Sequence, residues 1–249
     1  MPAVMSSVPR GSIAYGAVRR VFNLARRRFA AAAPVLVAPA AALAVALTPV
    51  SGPGAAAGER GLPLVVAFGD SLTAGLGLAP AETFPARLAA WLESLGTPAR
   101  VVNAGLSGDT TAGGRARLSW TLAAEPEHPP DLVIVELGAN DALRGIAPAV
   151  TRTNLEAILA TLGERGIPVL LAGMRAPPNL GDAYGTAFDA IYPELAAKYG
   201  VALYPFFLEG VAAEPSLNQP DGMHPNAAGA DLIARRLAPH VRRLLDGGG

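Results

Sequence analysis

The sequence predicts an α/β fold in which helices cover both faces of a five-stranded parallel sheet. After about residue 60, short apolar runs alternate with longer stretches of helical periodicity, the pattern that repeated strand and helix units produce. The chain has 249 residues, of which 51% are hydrophobic and 16% are charged. A chain of this length and composition can bury a large core, so the composition argues against disorder.

The elements follow from the chain in order. Apolar runs of strand length are the predicted strands, at residues 64–68, 100–103, 132–137, 168–172 and 201–206. Longer stretches with helical spacing are the predicted helices, at residues 84–95, 111–123, 151–165, 184–199 and 227–245. In the last helix, one face should be buried, because apolar residues recur there at helical spacing, namely Ile233, Leu237, Val241 and Leu244. No internal repeat is present, so residues 58–249 are predicted to form one domain.

Charge and residue usage exclude several classes of function. Lys and Arg total 20 and Asp and Glu total 20, so the neutral balance gives no support to a nucleic-acid binder. The chain has no cysteine, which excludes disulfides, thiol nucleophiles and thiolate metal sites. Its three histidines are scattered along the chain and form no recognisable ligand cluster. We therefore expect neither a metal nor a cofactor.

Residues 1–57 have the order of a secretory signal. The segment up to residue 58 holds six arginines and no acid, and an unbroken apolar run follows at residues 29–47. Small residues then lead to Ala57, after which we predict cleavage. Two Arg-Arg-x-Phe sequences resemble a twin-arginine export signal. The predicted location is periplasmic or secreted; the alternative is a membrane anchor at residues 29–47, a run just long enough to span a bilayer.

Glycine-rich and polar segments follow the predicted strands. In open parallel sheets the reactive groups gather beyond the carboxyl ends of the strands, so these segments are the candidates for a site. The first four strand ends and one late loop carry such segments, at residues 69–73, 103–109, 138–141, 173–179 and 221–226.

The first and last of these segments contain a serine, a histidine and an aspartate that together fit nucleophilic catalysis. The hydroxyl of Ser71 is a poor nucleophile unless a neighbouring base takes its proton. His224 lies three residues after Asp221, a spacing that lets the carboxylate hold Nδ1 and leaves Nε2 free to accept that proton. His128 lies in a proline-rich connection and His240 lies inside the last helix, so both are predicted to be structural.

Acyl transfer also needs donors for the oxyanion of the tetrahedral intermediate. The candidates are the backbone N–H groups of Ser71 and Gly108 and the side-chain amide of Asn140. Asparagine donates without adding charge, and glycine lets a carbonyl approach closely. Asp70 and Asp141 adjoin these residues and are predicted to form loop hydrogen bonds.

Other interpretations remain open at this point. Ser71 alone could be a helix cap, and a non-catalytic binding protein could share the fold. An α/β-hydrolase would carry Gly-x-Ser-x-Gly, but residue 73 is threonine. A phosphate-binding loop needs a lysine after its glycines, and the only lysine is Lys198.

The four segments together resemble the GDSL or SGNH hydrolase family, whose blocks supply serine, glycine, asparagine and histidine. Here these are Ser71, Gly108, Asn140 and His224 with Asp221. Further segments resemble the bacterial arylesterase, acyl-CoA thioesterase and lysophospholipase group within it, at residues 135–145, 188–193 and 204–207.

The resemblance implies a flavodoxin-like three-layer α/β/α sandwich and an exported enzyme without a metal. It also implies hydrolysis of short- and medium-chain acyl esters and thioesters through an acyl-serine intermediate.

The walls of the substrate pocket are predicted from residues near the strand ends, namely Leu76, Leu106, Met174, Pro178, Asn179 and Tyr184. Most of these are apolar, which favours an acyl chain over a sugar as the bound group. The alternative substrate class is an acetylated carbohydrate, which a deacetylase of the same fold would hydrolyse with the same serine and histidine.

Overall fold

The computed structural model describes residues 61–124 and 129–247. The predicted signal, its cleavage site, the alternative anchor and His128 all lie outside the described residues. In the part of the chain that is described, no helix is both long and apolar enough to cross a membrane.

Five parallel strands form one sheet, as predicted. They are β1 (Leu64–Gly69), β2 (Arg100–Gly105), β3 (Leu132–Glu136), β4 (Val169–Ala172) and β5 (Ala202–Tyr204). Their spatial order is β2-β1-β3-β4-β5, the order of doubly wound sheets of the flavodoxin type. Every residue of β1, β3 and β4 is buried, which explains why these strands read as continuous apolar runs.

Eight helices are present in the described residues. They are α1 (Ser71–Ala74), α2 (Phe84–Ser94), α3 (Thr111–Ala123), α4 (Ala139–Leu143), α5 (Pro148–Glu164), α6 (Asp182–Asp189), α7 (Ile191–Tyr199) and α8 (Ala227–Leu245). Helices α2 and α8 pack together, and α5 packs between α3 and α7. Right-handed crossovers put these two groups on opposite faces of the sheet, so the sheet is the middle layer of three.

Proline accounts for two departures from the predicted elements. The predicted helix at residues 184–199 is two helices, which meet at Ala190. Pro193 has no N–H to donate to the carbonyl of Asp189, so one helical hydrogen bond is lost at this point. The predicted strand at residues 201–206 is shortened to β5, because Pro205 cannot continue the pairing.

The last helix has the predicted buried face. Ile233, Leu237 and Val241 are buried, and Leu244, near the end of the helix, is half-buried and packs against the core. Asn226 caps the helix, since its side-chain oxygen accepts hydrogen bonds from the N–H groups of the first turn. His240 lies edge-on to Tyr204 with ring centroids 5.3 Å apart, which fits the predicted structural role.

The strands that follow β1 are added on opposite sides of it, β2 on one side and β3 on the other. From β1 the chain moves outward to β2, then crosses back over β1 to β3. Such a switch point leaves a crevice at the carboxyl ends of the two strands. Gly69 pairs in register with Gly105 of β2 and with Glu136 of β3, so the segments after these strands begin side by side.

Candidate active site

Ser71 lies at the first position of α1, directly beyond β1. The helix is capped by Asp70, whose side chain accepts a hydrogen bond of 3.0 Å from the N–H of Leu72. The interpretation of Ser71 as the cap is therefore wrong, and its hydroxyl is free for other contacts. Gly69 is required before this turn, because a Cβ there would collide with Thr73 and Glu136.

The structure brings Ser71, His224 and Asp221 into one hydrogen-bonded series. Ser71 Oγ lies 2.9 Å from His224 Nε2, although the two residues are 153 positions apart. His224 Nδ1 lies 2.7 Å from Asp221 Oδ2. Because the carboxylate faces Nδ1, that nitrogen carries the proton, and Nε2 is left as an acceptor for the serine proton.

Asp221 is held in its charged form. The backbone N–H groups of His224 and Met223 donate to its Oδ1 at 3.0 and 2.9 Å, and the imidazole donates to Oδ2. These hydrogen bonds lower the pKa of Asp221 to about 2. The carboxylate therefore stays negative at neutral pH.

The loop that carries His224 is fixed by Gln219, a residue that the sequence did not mark as functional. Gln219 donates from its backbone N–H to the carbonyl of His224 at 2.8 Å. Its side-chain amide donates to the carbonyls of Leu76, at 2.7 Å, and Pro225, at 3.0 Å. Gln219 thus joins the histidine loop to the segment after α1. No motif signals this residue, since its contacts form only in the folded chain.

Asn140 and Asp70 join the ends of β1 and β3. Asn140 lies in the first turn of α4, and its side-chain amide donates to Asp70 Oδ2 at 2.9 Å. Asp70 is fully buried. It forms the loop hydrogen bond predicted for it and also fixes the direction of the Asn140 amide, which the sequence did not predict.

Gly108 lies on the exposed loop after β2, at the same edge of the sheet. Its φ of +84° is in the region that favours glycine. The guanidinium of Arg144 donates to the carbonyl of Gly108 at 2.8 Å, which attaches this loop to the end of α4. Gly108 is not among the residues that line the cavity beside Ser71.

Asp141 forms the hydrogen bonds predicted for it, but they join helices. Its carboxylate accepts from the backbone N–H of Thr111 at 2.8 Å, from the hydroxyl of Thr111 at 2.5 Å and from that of Thr151 at 3.2 Å. These contacts tie α4 to the starts of α3 and α5. These hydrogen bonds therefore fix the segment that carries Asn140 against α3 and α5.

A second buried acid lies beneath the serine. Glu136 closes β3 and is fully buried. Its Oε2 accepts from the hydroxyl of Thr73 at 2.7 Å, while Oε1 has no hydrogen-bond partner among the described residues. Burial, and to a smaller extent the nearby Asp70, raise the pKa of Glu136 well above its ordinary value. In the sequence, Glu136 is distinguished only as a single acid at the end of an apolar run.

An apolar cavity of about 480 Å³ opens beside Ser71. Its walls come from α4, the segment after β4, the loop after β5 and the histidine loop, and include Leu143, Met174, Pro178, Phe206, Leu208, Ala212, Ala213 and Met223. The sequence did not predict that the loop after β5 lines the cavity, because the predicted strand ran to residue 206 and the residues beyond it had no assigned role. Among the described residues, no group of three or more His, Cys, Asp or Glu could hold a metal ion.

The predicted pocket residues divide into two sets. Met174 and Pro178 line the cavity, and Leu76 lines a small depression that also contacts Ser71 and His224.

Three predicted pocket residues lie outside the cavity walls. Leu106 lines a separate depression beside β2 with Trp120. Asn179 is exposed on a short 3₁₀ turn. The hydroxyl of Tyr184 donates to the carbonyl of Ile146 at 2.7 Å, so this ring serves packing.

The chain is similar to several named proteins over most of the described residues. The GDSL-like Lipase/Acylhydrolase family matches residues 67–232. Esterase TesA of Pseudomonas aeruginosa is 43% identical over 181 residues, which are 73% of this chain and 89% of that protein. The Escherichia coli (strain K12) protein named thioesterase 1/protease 1/lysophospholipase L1 is 41% identical over 179 residues, which are 72% of this chain and 83% of that protein.

Solved structures give the same picture. AlinE4, described as a SGNH-hydrolase family esterase, is 50% identical with a TM-score of 0.64 and covers 75% of this chain and 98% of its own. A crystal structure of TesA is 42% identical with a TM-score of 0.68 and covers 73% of this chain and 99% of its own. The similarity thus spans nearly the whole length of the AlinE4 and TesA structures.

The buried Asp70 leads to a prediction about pH and stability. Burial raises the pKa of Asp70 from 3.8 to about 6, so between about pH 4 and pH 6 the unfolded chain loses a proton that the folded chain keeps. Stability should therefore fall as the pH rises through this window, by up to about 3 kcal/mol from Asp70. Urea unfolding at several pH values should show this fall in the parent and a smaller one in Asp70→Asn. Equal pH dependence in the two proteins would contradict the assignment.

Proposed function

Because the chain belongs to the GDSL-like lipase/acylhydrolase family and is an ester-hydrolysing enzyme, we propose that it is an exported serine hydrolase of short- and medium-chain acyl esters and thioesters. The observation that carries the proposal is the series of hydrogen bonds from Ser71 through His224 to Asp221, at 2.9 and 2.7 Å. A hydroxyl, a base and a carboxylate in this order are what nucleophilic acyl transfer requires.

The first half of the reaction forms an acyl-enzyme. Ser71 Oγ attacks the carbonyl carbon of the substrate as its proton passes to His224 Nε2. Asp221 stabilises the imidazolium that results. The imidazolium then gives the proton to the leaving alcohol or thiol, and the acyl group stays on Ser71.

The second half releases the acid. A water molecule attacks the acyl carbon while His224 takes its proton, and the bond to Ser71 Oγ breaks as that oxygen is reprotonated. The chemistry needs only residues of this chain and water.

The negative oxygen of each tetrahedral intermediate needs hydrogen-bond donors. We assign this role to the N–H groups of Ser71 and Gly108 and to the side chain of Asn140. The Asn140 amide has two hydrogens, and the bond to Asp70 uses one. That bond leaves the second hydrogen for the substrate and keeps the amide from rotating, which is the preorganisation that makes such donors effective.

The cavity supports an acyl group as the bound part of the substrate. Its walls are mostly apolar, and Met174, Leu208 and Phe206 offer surface to an alkyl chain. The names of the relatives, which include esterase, arylesterase and thioesterase, support the same substrate class. An acetylated sugar would find few hydrogen-bond partners on these walls.

Export is part of the proposal. Its support is the sequence of residues 1–57, which joins arginines, the apolar run 29–47 and the small residues before Gly58 in the order of a secretory signal. We propose cleavage after Ala57 and release into the periplasm or the medium. The alternative is that residues 29–47 remain as an anchor.

The activity is tested with p-nitrophenyl esters from acetate to decanoate, beside an acyl-CoA and a lysophospholipid. We expect hydrolysis in the parent and a loss of at least about 10⁴-fold in kcat for Ser71→Ala. Ser94→Ala, a serine exposed on α2, is the matched control and should keep the parent rate. No hydrolysis of any substrate by the parent would sink the proposed function.

Asn140→Ala tests the oxyanion donor. We expect kcat to fall about 10²–10³-fold with little change in KM, because the amide acts on charge that develops only in the transition state. Steady-state kinetics with p-nitrophenyl butyrate measures both constants, and circular dichroism checks that the variant is folded. An unchanged kcat in a folded variant removes Asn140 from this role.

The export proposal is tested on protein purified from the periplasm or the medium of cells that express the full chain. Intact-mass analysis should give a chain that begins near Gly58. Protein that stays in the membrane fraction and retains residues 29–47 would support the anchor instead.

A further inference from the structure

Gly108 differs from the other two proposed oxyanion donors in how it is supported. Ser71 lies in a helix that Asp70 caps, and the amide of Asn140 is held by its bond to Asp70. Gly108 lies on an exposed loop, and among the described residues its N–H has no acceptor. A donor is effective in the transition state when its position is fixed beforehand, so the loop of Gly108 needs a support of its own.

The loop of Gly108 is a tight turn. The N–H of Asp109 donates to the carbonyl of Leu106 at 3.0 Å, and Gly108, the third residue of the turn, has a φ of +84°. These features are those of a type II turn, which favours glycine at its third position. The Leu106 end of the turn is joined to the sheet, since the N–H of Leu106 donates to the carbonyl of Gly69 at 3.0 Å. The direction of the Gly108 N–H therefore depends on how firmly the Asp109 end is held.

Arg117 of α3 holds the Asp109 end of this turn. Its Nε donates to Asp109 Oδ2 at 2.6 Å, and its Nη2 donates to the carbonyl of Gly69 at 2.9 Å. Both side chains of this ion pair are mostly shielded from solvent, since 18% of Arg117 and 11% of Asp109 are exposed. The guanidinium also lies over the buried ring of Phe68, 4.1 Å from its centroid. Arg117 is thus fixed against β1 and in turn fixes Asp109.

The two groups that Arg117 contacts adjoin two parts of the proposed active site. Gly69 lies two residues before Ser71, and Asp109 directly follows Gly108. One planar guanidinium therefore sets the distance between the strand that carries the nucleophile and the turn that carries a donor. A lysine could not replace it, because a single ammonium lacks the rigid fork that holds two acceptors in fixed directions.

Helix α3 leaves room for this contact at Gly113. A Cβ at Gly113 would lie 2.3 Å from Asp109 Oδ1, so a larger residue there would displace the carboxylate. Glycine weakens a helix by about 1 kcal/mol relative to alanine. A residue that helices disfavour thus stands where Asp109 needs space beside the helix.

We propose that Arg117 is a positioning residue for the oxyanion hole. Through its bonds to Gly69 and Asp109, it holds the Gly108 N–H at the distance from Ser71 that the negative oxygen of the tetrahedral intermediate requires. The inference rests on the proposed function, in which Gly108 is one of the donors. It adds a role for a side chain that touches neither the substrate nor the reacting atoms.

Steady-state kinetics of Arg117→Ala in the full chain tests this role. Without the guanidinium, the turn keeps its bond from Leu106 to the sheet and the contact of Arg144 with the carbonyl of Gly108. The donor is therefore loosened and not removed. We expect kcat for p-nitrophenyl butyrate to fall about 10- to 30-fold, less than for the loss of a whole donor, with KM within about twofold of the parent value.

The matched control is Arg152→Ala, which removes an ion pair with Glu194 between α5 and α7. An ion pair that served stability alone would lower the unfolding temperature and leave kcat unchanged, and this is the result expected for Arg152→Ala. The same result for a folded Arg117→Ala, checked by circular dichroism, would overturn the inference. If Arg117→Ala does not fold, Arg117→Lys replaces it, with an expected fall in kcat of about fivefold; an unchanged kcat would overturn the inference equally.

Chemical rescue distinguishes the position of the donor from the stability of the fold. The side chain of Arg117 is partly exposed, so a small cation can enter the space that Arg117→Ala leaves. Ethylguanidinium supplies the missing atoms and should raise kcat at least about fivefold, whereas ethylammonium has the charge without the fork and should not. Equal effects of the two cations, or no effect of either, would contradict the role of the guanidinium.

A double variant tests whether Asp109 and Arg117 act as one support. Asp109→Ala alone should lower kcat about tenfold, and the double variant with Arg117→Ala should lose no more than the weaker of the two single variants. Losses that multiply would show two independent effects and would contradict the proposed link.

The proposed function and this inference can fail separately, because NMR reports on the Gly108 amide without turnover. In the ¹⁵N-labelled full chain, the Gly108 resonance should shift and broaden in Arg117→Ala and return with ethylguanidinium. That result in a parent that hydrolyses no ester would leave the support of the turn standing and remove the proposed function. Hydrolysis by the parent with an unchanged kcat in Arg117→Ala would leave the serine hydrolase standing and remove the role of Arg117.

Discussion

The hydrogen bond between Ser71 and His224 depends on two independently fixed parts of the chain. Ser71 is fixed by the end of β1 and by the cap that Asp70 provides. His224 is fixed by its loop, which Gln219 joins to the segment after α1 and which Asn226 continues into α8. Because a contact of 2.9 Å tolerates little movement, both supports are needed. The sheet and the helices thus hold the segment of Ser71 and the loop of His224 at a fixed distance from each other.

Two buried acids beneath the serine, Asp70 and Glu136, have raised pKa values. Burial raises the pKa of both Asp70 and Glu136. Asp70 also accepts hydrogen bonds from Leu72 and Asn140, which favour its charged form, whereas a charge on Asp70 disfavours the charged form of Glu136. Asp70 holds the Asn140 amide, and Glu136 accepts a hydrogen bond from the hydroxyl of Thr73.

The elements that the sequence predicted are those in which a local pattern decides the structure. Burial requires apolar residues along β1, β3 and β4 and on one face of α8. These elements can therefore be recognised from their composition and spacing alone. The short helices α1 and α4 lie below the length at which periodicity can be detected. Gln219 and Glu136 act through contacts between distant segments, which no local pattern encodes. Tyr184 and Leu106 were placed in the pocket by proximity in sequence, yet side-chain direction turned one toward Ile146 and the other toward β2.

The edge of the sheet that holds the site has two halves with different chemistry. The segments after β1 and β3 bring polar groups that must keep fixed distances, and the register of Gly69 with Glu136 sets those distances from within the sheet. The segments after β4 and β5 bring apolar walls, such as Met174 and Leu208, whose positions need only leave room for a chain. A substitution in the first half should therefore change the rate for every substrate, whereas one in the second half should change the choice among substrates. The fold thus fixes the reaction, and its loops are left to select what reacts.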